Sequence, residues 1–219
     1  MSIVFYFCAM PVTVYLLTIA AYLLGAIPTA VWLSKYVYGK DVREHGSKNA
    51  GATNTFRVLG KQAGIMVLIA DILKGTLAAS LSLMVAEQFN ADDLMLYKLA
   101  LGFTATMGHI YSIFIRFKGG KGVATFTGML YFIFPLAAIT CTAFFLIVFI
   151  FSHYISLSSM SSALLFPVAA ILFYQLDDMR VMLLLGLIPL IVLYTHRSNM
   201  LRLARGEESK MYLYKRKSG

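Results

Sequence analysis

The sequence predicts an all-α, polytopic integral membrane protein with seven transmembrane helices, some short or broken. Its N-terminus is expected outside and its C-terminus in the cytoplasm. Three observations carry this. Hydrophobic residues make up 59% of the 219 and charged residues only 13%, too little charge to coat a soluble domain of this size. The apolar residues fall in long charge-poor stretches of membrane-spanning length. Of the 19 Lys and Arg residues, all but Lys74, Lys98 and Arg180 lie in segments that a seven-span layout places on one side.

The first apolar stretch runs from about Val12 to Ser34, with Gly25 and Pro28 predicting a bend or break near its end. No basic n-region precedes it, so no cleavable signal peptide is expected. A polar segment with Lys35, Lys40, Arg43, Lys48, Arg57 and Lys61 follows. The second span covers about Ala63 to Ala86, and the third about Leu94 to Ile115. Acidic "EQFNADD" lies between these two, and basic "RFKGGKG" follows the third. The run from Val123 to Phe151 is interrupted by Pro135 and reads either as one long span or as a hairpin of two short ones. Charge parity selects the hairpin. With a single span, the tail carrying Arg197, Arg202, Arg205, Lys210, Lys215, Arg216 and Lys217 would lie outside, against the positive-inside rule. The last spans are expected near Ala163–Tyr174 and Val181–Tyr194, on either side of "QLDD". The whole chain, 1–219, reads as a single membrane-embedded domain without an internal repeat.

In this layout three polar segments share the cytoplasmic face: "DVREHGSKNAGATNTFRVLGK", "FKGGKGVAT" and "HRSNMLRLARGEE". In the second, Gly119, Gly120 and Gly122 let backbone N–H groups approach an anion, and Lys121 adds charge ahead of a helix expected from Val123. It is not a Walker A loop, because Gly122 follows Lys121 where Ser or Thr is required. A basic loop that only sets topology is the plainer alternative. The first segment offers Ser47, Asn49, Thr53 and Asn54 as donors among small residues, with Asn54 and Arg57 on one face of a helix beginning near Thr53. A capped loop–helix junction would use the same residue types. In the third, His196 and Asn199 are likewise three apart, where the last span leaves the membrane.

The other constellations are weaker. Asp71 and Lys74 stand three apart within the second span, and a mutual ion pair that stabilises the bundle is the expectation. Ser156 to Ser162 either lines a cytoplasmic cavity or packs helices through small residues. His45, His109, His153 and His196 form no metal-binding spacing with Cys, Asp or Glu, and Cys8 and Cys141 read as buried apolar residues, so no metal is expected. The fifth position after each histidine is Ala50, Phe114, Ser158 or Leu201, which excludes a His-x-x-x-x-Asp dyad. The net charge of +9 is accounted for by cytoplasmic loops rather than by a nucleic-acid partner. A transporter of a phosphorylated metabolite would want similar basic loops, but its substrate site should lie near the midplane, where only Asp71, Lys74 and His109 are candidates. A membrane scaffold would have no need of glycine-rich anion loops.

"GAIPTAVWLSK", "DVREHGSKNAGATNTFRVLGKQAG", "DILKG", "GHIYSIFIRFKGGKGVAT", "YISLSS" and "HRSNMLRLARGEE" occur in the order and spacing of one bacterial family. From about Tyr22 to Glu208 the chain resembles the acyl-phosphate:glycerol-3-phosphate acyltransferases, PlsY. The resemblance implies a seven-helix enzyme of the bacterial inner membrane with a cytoplasmic active site. It would transfer a fatty acyl group from acyl phosphate to the 1-hydroxyl of glycerol 3-phosphate, making lysophosphatidic acid for phospholipid synthesis, with no cofactor and as a functional monomer. The family's catalytic serine and arginine match Ser47 and Arg57, its phosphate loop matches Gly119–Gly122 with Lys121, and its histidine and asparagine match His196 and Asn199. Its structural glutamate matches Glu208, and its serine in the preceding helix matches Ser159 better than Ser156. Two departures stand out: Lys48 where the family usually has glycine, and Ala26 where it often has serine.

The residues and the resemblance imply the same physics. An acyl phosphate is already activated, so the enzyme must mainly position two anions and stabilise developing charge. Lys121, the loop glycines, His196 and Asn199 would hold glycerol 3-phosphate. Ser47, Asn49, Asn54 and Arg57 would steady the acyl phosphate. The basic tail suits anionic membrane lipids.

Overall fold

The computed structural model describes residues 11–212. Cys8 and the tail residues Lys215, Arg216 and Lys217, for which expectations were given above, lie outside the described residues. Among the described residues every regular element is helical, and the helices gather into two compact units that meet in sequence between Ile133 and Phe134.

The first unit contains α1 (Val12–Ala26), α2 (Thr29–Tyr36), α3 (Ala52–Leu59), α4 (Lys61–Ser80), α5 (Ala91–Ile110) and α6 (Val123–Ile133). A 3₁₀ extension, Leu81–Gln88, continues α4. α1 and α2 are one apolar stretch bent by 45°, and proline chemistry explains the bend. Pro28 has no N–H and disfavours helical backbone at the residue before it, and Ile27 is extended, with ψ 113°. The break frees carbonyls that a membrane cannot solvate. Side chains from elsewhere in the unit satisfy them: the Ser112 hydroxyl donates to the Ala26 carbonyl, and Lys74 Nζ donates to the Ile27 carbonyl at 3.1 Å.

Lipid tails are as apolar as leucine, so helices in a membrane associate through close backbone approach and interhelical hydrogen bonds. Both are present here. Val14, Leu17 and Ala21 of α1 pack against Tyr97, Leu101 and Ala105 of α5, and the Tyr97 hydroxyl donates to the Val14 carbonyl at 2.8 Å. α4 and α6 also approach backbone to backbone. A Cβ on Gly75 would collide with the Thr125 carbonyl, and one on Gly128 with the Ile72 carbonyl. Thr76 of α4 donates its hydroxyl to the Gly128 carbonyl at 2.8 Å.

The second unit contains α7 (Pro135–Ser152), α8 (Ile155–Tyr174), α9 (Met179–Thr195) and α10 (Arg197–Ala204). The run from Val123 to Phe151 is thus two helices, interrupted at Phe134 with Pro135 opening the second, where its missing N–H costs nothing. α7 and α8 are joined through His153, whose φ of 60° is left-handed. α8 begins at Ile155 rather than near Ala163. The serine-rich segment is helical, and the hydroxyls of Ser158, Ser159 and Ser161 donate to carbonyls four residues back, which keeps them satisfied without water. α9 and α10 bend by 60° at His196. Cys141 is a buried free thiol on α7.

Among the described residues Lys61–Gln88, Pro135–Ser152 and Ile155–Tyr174 are long and apolar enough to cross a membrane, and counting each bent pair as one span gives up to five. α5 carries Asp92, Asp93 and Lys98 near its start, and α6 has only 11 residues, so neither reaches that standard alone.

The α4–α6 approach yields a direct test. Gly128→Ala drives a methyl group into the α4 backbone and is expected to destabilise the detergent-solubilised protein by ~1–3 kcal/mol. Thermal unfolding of purified protein reads this out; an unchanged midpoint would show that the helices are not packed backbone to backbone there.

Candidate active site

The segment Gly46–Asn54 is built around one side chain. Asn54 sits in the first turn of α3 and is only 1% exposed. Its Nδ2 donates to the carbonyls of Val42 at 2.7 Å and His45 at 3.1 Å, while its Oδ1 accepts the Ser47 N–H at 2.8 Å. Both amide hydrogens are engaged, so in this conformation Asn54 braces the loop rather than reaching outward as a phosphate donor. The same bonds leave the Ser47 side chain on the exposed face. Arg57 lies in the last turn of α3, three residues after Asn54, and is half-buried, as is Asn49.

Lys48 stands where glycine would be easiest. Its φ is 58°, and its N–H closes a turn onto the His45 carbonyl at 3.0 Å. An L-residue in that region bears a steric cost of roughly 1–2 kcal/mol. The departure from the family pattern therefore leaves the turn intact and adds an exposed cation beside Ser47.

Upstream, Asp41 accepts from Lys35 Nζ at 3.1 Å and Arg43 Nη2 at 2.8 Å, and caps a short 3₁₀ turn, Val42–Glu44. Hydrogen bonds from Arg43 hold its carboxyl far below the usual range, against the opposing effect of burial, and Lys35 adds to them. This node was not singled out from sequence, where Asp41 and Arg43 were only two charges in a polar run.

The glycine loop is seated on the end of α5. The Gly119 N–H donates to the Ile110 carbonyl at 3.0 Å and the Gly120 N–H to the His109 carbonyl at 3.1 Å. These donors satisfy helix-terminal acceptors and so do not face an anion in this conformation. The glycines are required for space instead: a Cβ on Gly119 would meet the His109 carbonyl, and one on Gly120 the His109 ring. Gly122, at φ 81°, opens α6 by accepting the Phe126 N–H, with half-buried Lys121 just before it. Val31, Ala50 and Ile115 form one buried cluster, which docks the Gly46–Asn54 loop beside the segment leading into the glycine loop.

Beneath that loop, Lys74 Nζ and Asp71 Oδ1 pair at 2.9 Å, both nearly buried. Thr29 donates to the same carboxylate oxygen at 3.3 Å, and His109 Nδ1 lies 3.7 Å from it. The expected ion pair is present, and it also neighbours His109 on the helix that seats the glycine loop.

In the second unit the centre is Glu208. Its Oε1 accepts from Ser156 Oγ at 2.9 Å and Asn199 Nδ2 at 2.7 Å, and its Oε2 accepts from Arg202 Nε at 2.7 Å. Burial pushes the carboxyl up, but the bonds from Asn199, Arg202 and Ser156, with the charge of Arg202, outweigh it and hold the group below its ordinary value. Ser156 therefore joins this cluster, whereas the hydroxyl of Ser159 is donated to the Ile155 carbonyl within α8. His196, 3% exposed, is fixed by Nδ1 bonding to the Val192 carbonyl at 2.8 Å. In the neutral ring that partner puts the proton on Nδ1 and makes Nε2 the acceptor. Among the described residues no group of His, Cys, Asp and Glu is arranged to hold a metal ion.

Two consequences can be measured. Because the folded carboxyl of Glu208 titrates lower than the unfolded one, its contribution to stability is present above about pH 4.5 and is lost as pH falls through the folded value. Glu208→Gln is expected to cost ~1.5–3 kcal/mol at neutral pH and to flatten the acid limb of the stability profile. At position 48, Lys48→Gly is expected to leave stability unchanged or raise it. Lys48→Val, β-branched at positive φ, is expected to lower it by more than ~1 kcal/mol. Equal thermal midpoints for the two variants would contradict the left-handed turn.

The chain was compared with known proteins. A sequence model of the family described as glycerol-3-phosphate acyltransferase matches residues 15–206. A glycerol-3-phosphate acyltransferase of Fusobacterium nucleatum is 42% identical over 194 residues, 88% of this chain and 95% of its own. Glycerol-3-phosphate acyltransferase 2 of Bacillus cereus strain ZK / E33L is 46% identical over 200 residues, 91% of this chain and 96% of its own. Crystal structures of PlsY, an integral membrane glycerol 3-phosphate acyltransferase, superpose closely. The glycerol 3-phosphate form gives a TM-score of 0.80 at 34% identity, covering 91% of this chain and 96% of that one. The lysophosphatidic acid form gives 0.78 at 33%, covering 91% and 95%. With the family model spanning nearly all of the helical core, and relatives this similar over nearly their full length, the chain belongs to the glycerol-3-phosphate acyltransferase family.

Proposed function

We propose that this protein transfers a fatty acyl group from acyl phosphate to the 1-hydroxyl of glycerol 3-phosphate, releasing phosphate and lysophosphatidic acid. The observation that carries the reading is the docking of the Gly46–Asn54 loop beside the segment leading to the glycine loop, on a chain whose relatives are glycerol-3-phosphate acyltransferases. The related PlsY has been crystallised with forms named for that substrate and that product, glycerol 3-phosphate and lysophosphatidic acid.

In this reading Ser47 and Arg57, with Asn49, steady the acyl phosphate, and Asn54 acts through the Ser47 backbone that it holds. Lys121, presented by the loop of Gly119, Gly120 and Gly122, holds the phosphate of glycerol 3-phosphate; His196 and Asn199 are assigned to substrate binding from the family match alone. Ser159 is assigned to phosphate binding from the family match alone; Ser156 and Glu208 hold Asn199 in place. The substrate hydroxyl attacks the acyl carbonyl, the bond from carbonyl carbon to phosphate oxygen breaks, and the hydroxyl proton leaves on a phosphate oxygen. No protein base is needed. Positive charge at the two phosphates lowers the barrier by stabilising the developing oxyanion and the leaving group.

The same proposal covers topology. Val12–Tyr36, Lys61–Gln88, α5, short α6, α7, α8 and α9 make seven spans of one domain, with the basic loops on the cytoplasmic side of a bacterial inner membrane and the N-terminus outside. The enzyme works as a monomer without a cofactor.

Purified protein supplied with acyl phosphate and labelled glycerol 3-phosphate should yield labelled lysophosphatidic acid, and acyl-CoA should not replace the donor. Failure of the folded protein to form product overturns the activity; equal use of acyl-CoA overturns the donor. Arg57→Ala and Lys121→Ala should each lower kcat/KM by about 10²–10³. Near-normal turnover and KM in both would remove these residues from the reaction.

A further inference from the structure

A second anion-attracting feature lies in the first unit, lined by none of the residues assigned to the reaction. It is an open cavity of about 480 Å³ at the end of α2, walled by four cations: Lys35, Arg43, Arg116 and Lys118. The acidic group nearest to them in the described contacts is Asp41, which holds Lys35 and Arg43, lies outside the lining and is almost buried. Glu44 also acts on Arg43, so the positive excess of the cavity rests on Arg116 and Lys118.

Its other wall is aromatic. Trp32 and Tyr36 are one helical turn apart on α2, and the Trp32 ring lies 5.9 Å from that of Phe114. All three are exposed, Tyr36 by 83%. The floor is apolar, made by Val31 and Ile115. The segment presenting Arg116 is held in place: Ser112 is bonded to the end of α1, the Phe117 N–H donates to the Ser112 carbonyl at 2.8 Å, and Arg116 has a left-handed φ of 55°.

A soluble anion would be served by the cations alone. Exposed Trp and Tyr beside Lys and Arg, over an apolar floor, match a molecule that is anionic at one end and greasy at the other. Trp and Tyr settle at the headgroup level of a bilayer, and basic pockets at helix ends hold anionic headgroups. We propose that this cavity binds the headgroup of an anionic bilayer phospholipid, with phosphate on Arg116 and Lys118 and the glycerol region against Trp32 and Phe114. It is a structural lipid site separate from the acyl-transfer residues, and binding to it does not depend on the proposed reaction.

The test uses the full-length protein in nanodiscs or mild detergent, with lipid retention measured by native mass spectrometry. Phosphatidylglycerol should be retained at least tenfold better than phosphatidylcholine of the same chains, and the preference should shrink at high salt. Each cation is expected to contribute about fivefold, so Arg116→Gln with Lys118→Gln should weaken phosphatidylglycerol retention about 25-fold. Equal retention of the two lipids, or an unchanged double variant, overturns the proposal. Displacement by glycerol 3-phosphate or inorganic phosphate at comparable concentration also overturns it, in favour of a soluble phosphate site. Independently of any variant, phosphatidylglycerol with a photoreactive headgroup should label the unaltered protein within residues 31–43 or 111–118. Labelling confined elsewhere rejects the site.

Discussion

A carbonyl left bare inside a bilayer has no water to accept from, and the first unit is organised around that constraint. Pro28 breaks the opening span, and the freed carbonyls of Ala26 and Ile27 are answered by Ser112 and Lys74. Lys74, nearly buried, needs a counter-charge, and Asp71 supplies it at 2.9 Å. Asp71 in turn gathers Thr29 and lies near His109. The carbonyl of His109 then seats Gly120, and its ring sets the space in which only glycine fits. A bend in the first span is thus connected, through hydrogen bonds, an ion pair and the approach of Asp71 to His109, to the loop assigned to substrate phosphate. An intramembrane ion pair is weak evidence for stability by itself, since desolvation offsets much of the attraction. Its role here is to satisfy the helix break and fix the loop's support.

The second unit solves a similar problem with the opposite sign. Glu208 lies in the segment after α10, and its carboxylate draws in Ser156, Asn199 and Arg202. Three donors on one carboxylate explain how a nearly buried acid stays ionised. They also orient Asn199, three residues after the histidine at which the chain bends by 60°. In each unit, then, a buried acid orders polar groups near residues assigned to substrate, which is a reasonable construction for an enzyme whose main work is positioning.

The two loops of the first unit differ in how they use glycine and asparagine. Asn54 and Gly119–Gly120 spend their hydrogen-bonding groups on the protein itself, which makes them supports of the site. The side chain of Ser47 is exposed, and those of Arg57 and Lys121 are half-buried. Ser47 owes its presentation to Asn54, seven residues later in the chain.

The sequence alone determined that this is a helical membrane protein and where its basic segments lie, because hydrophobicity and charge are local properties of the chain. It also marked the bend at Pro28, the interruption at Pro135, and the family through the motifs around Ser47, Lys121 and His196. Which partner each polar group takes could not be read from it. Spacing suggested Asn54 and the loop glycines as anion donors, yet the donors of Asn54, Gly119 and Gly120 go to carbonyls of Val42, His45, His109 and Ile110. Matching placed the family's serine at Ser159, whose hydroxyl goes to the Ile155 carbonyl, while Ser156 meets Glu208. Each of these was decided by tertiary structure for one reason: a polar group away from water takes whichever partner folding brings within about 3 Å, and that partner can be seven or fifty residues away.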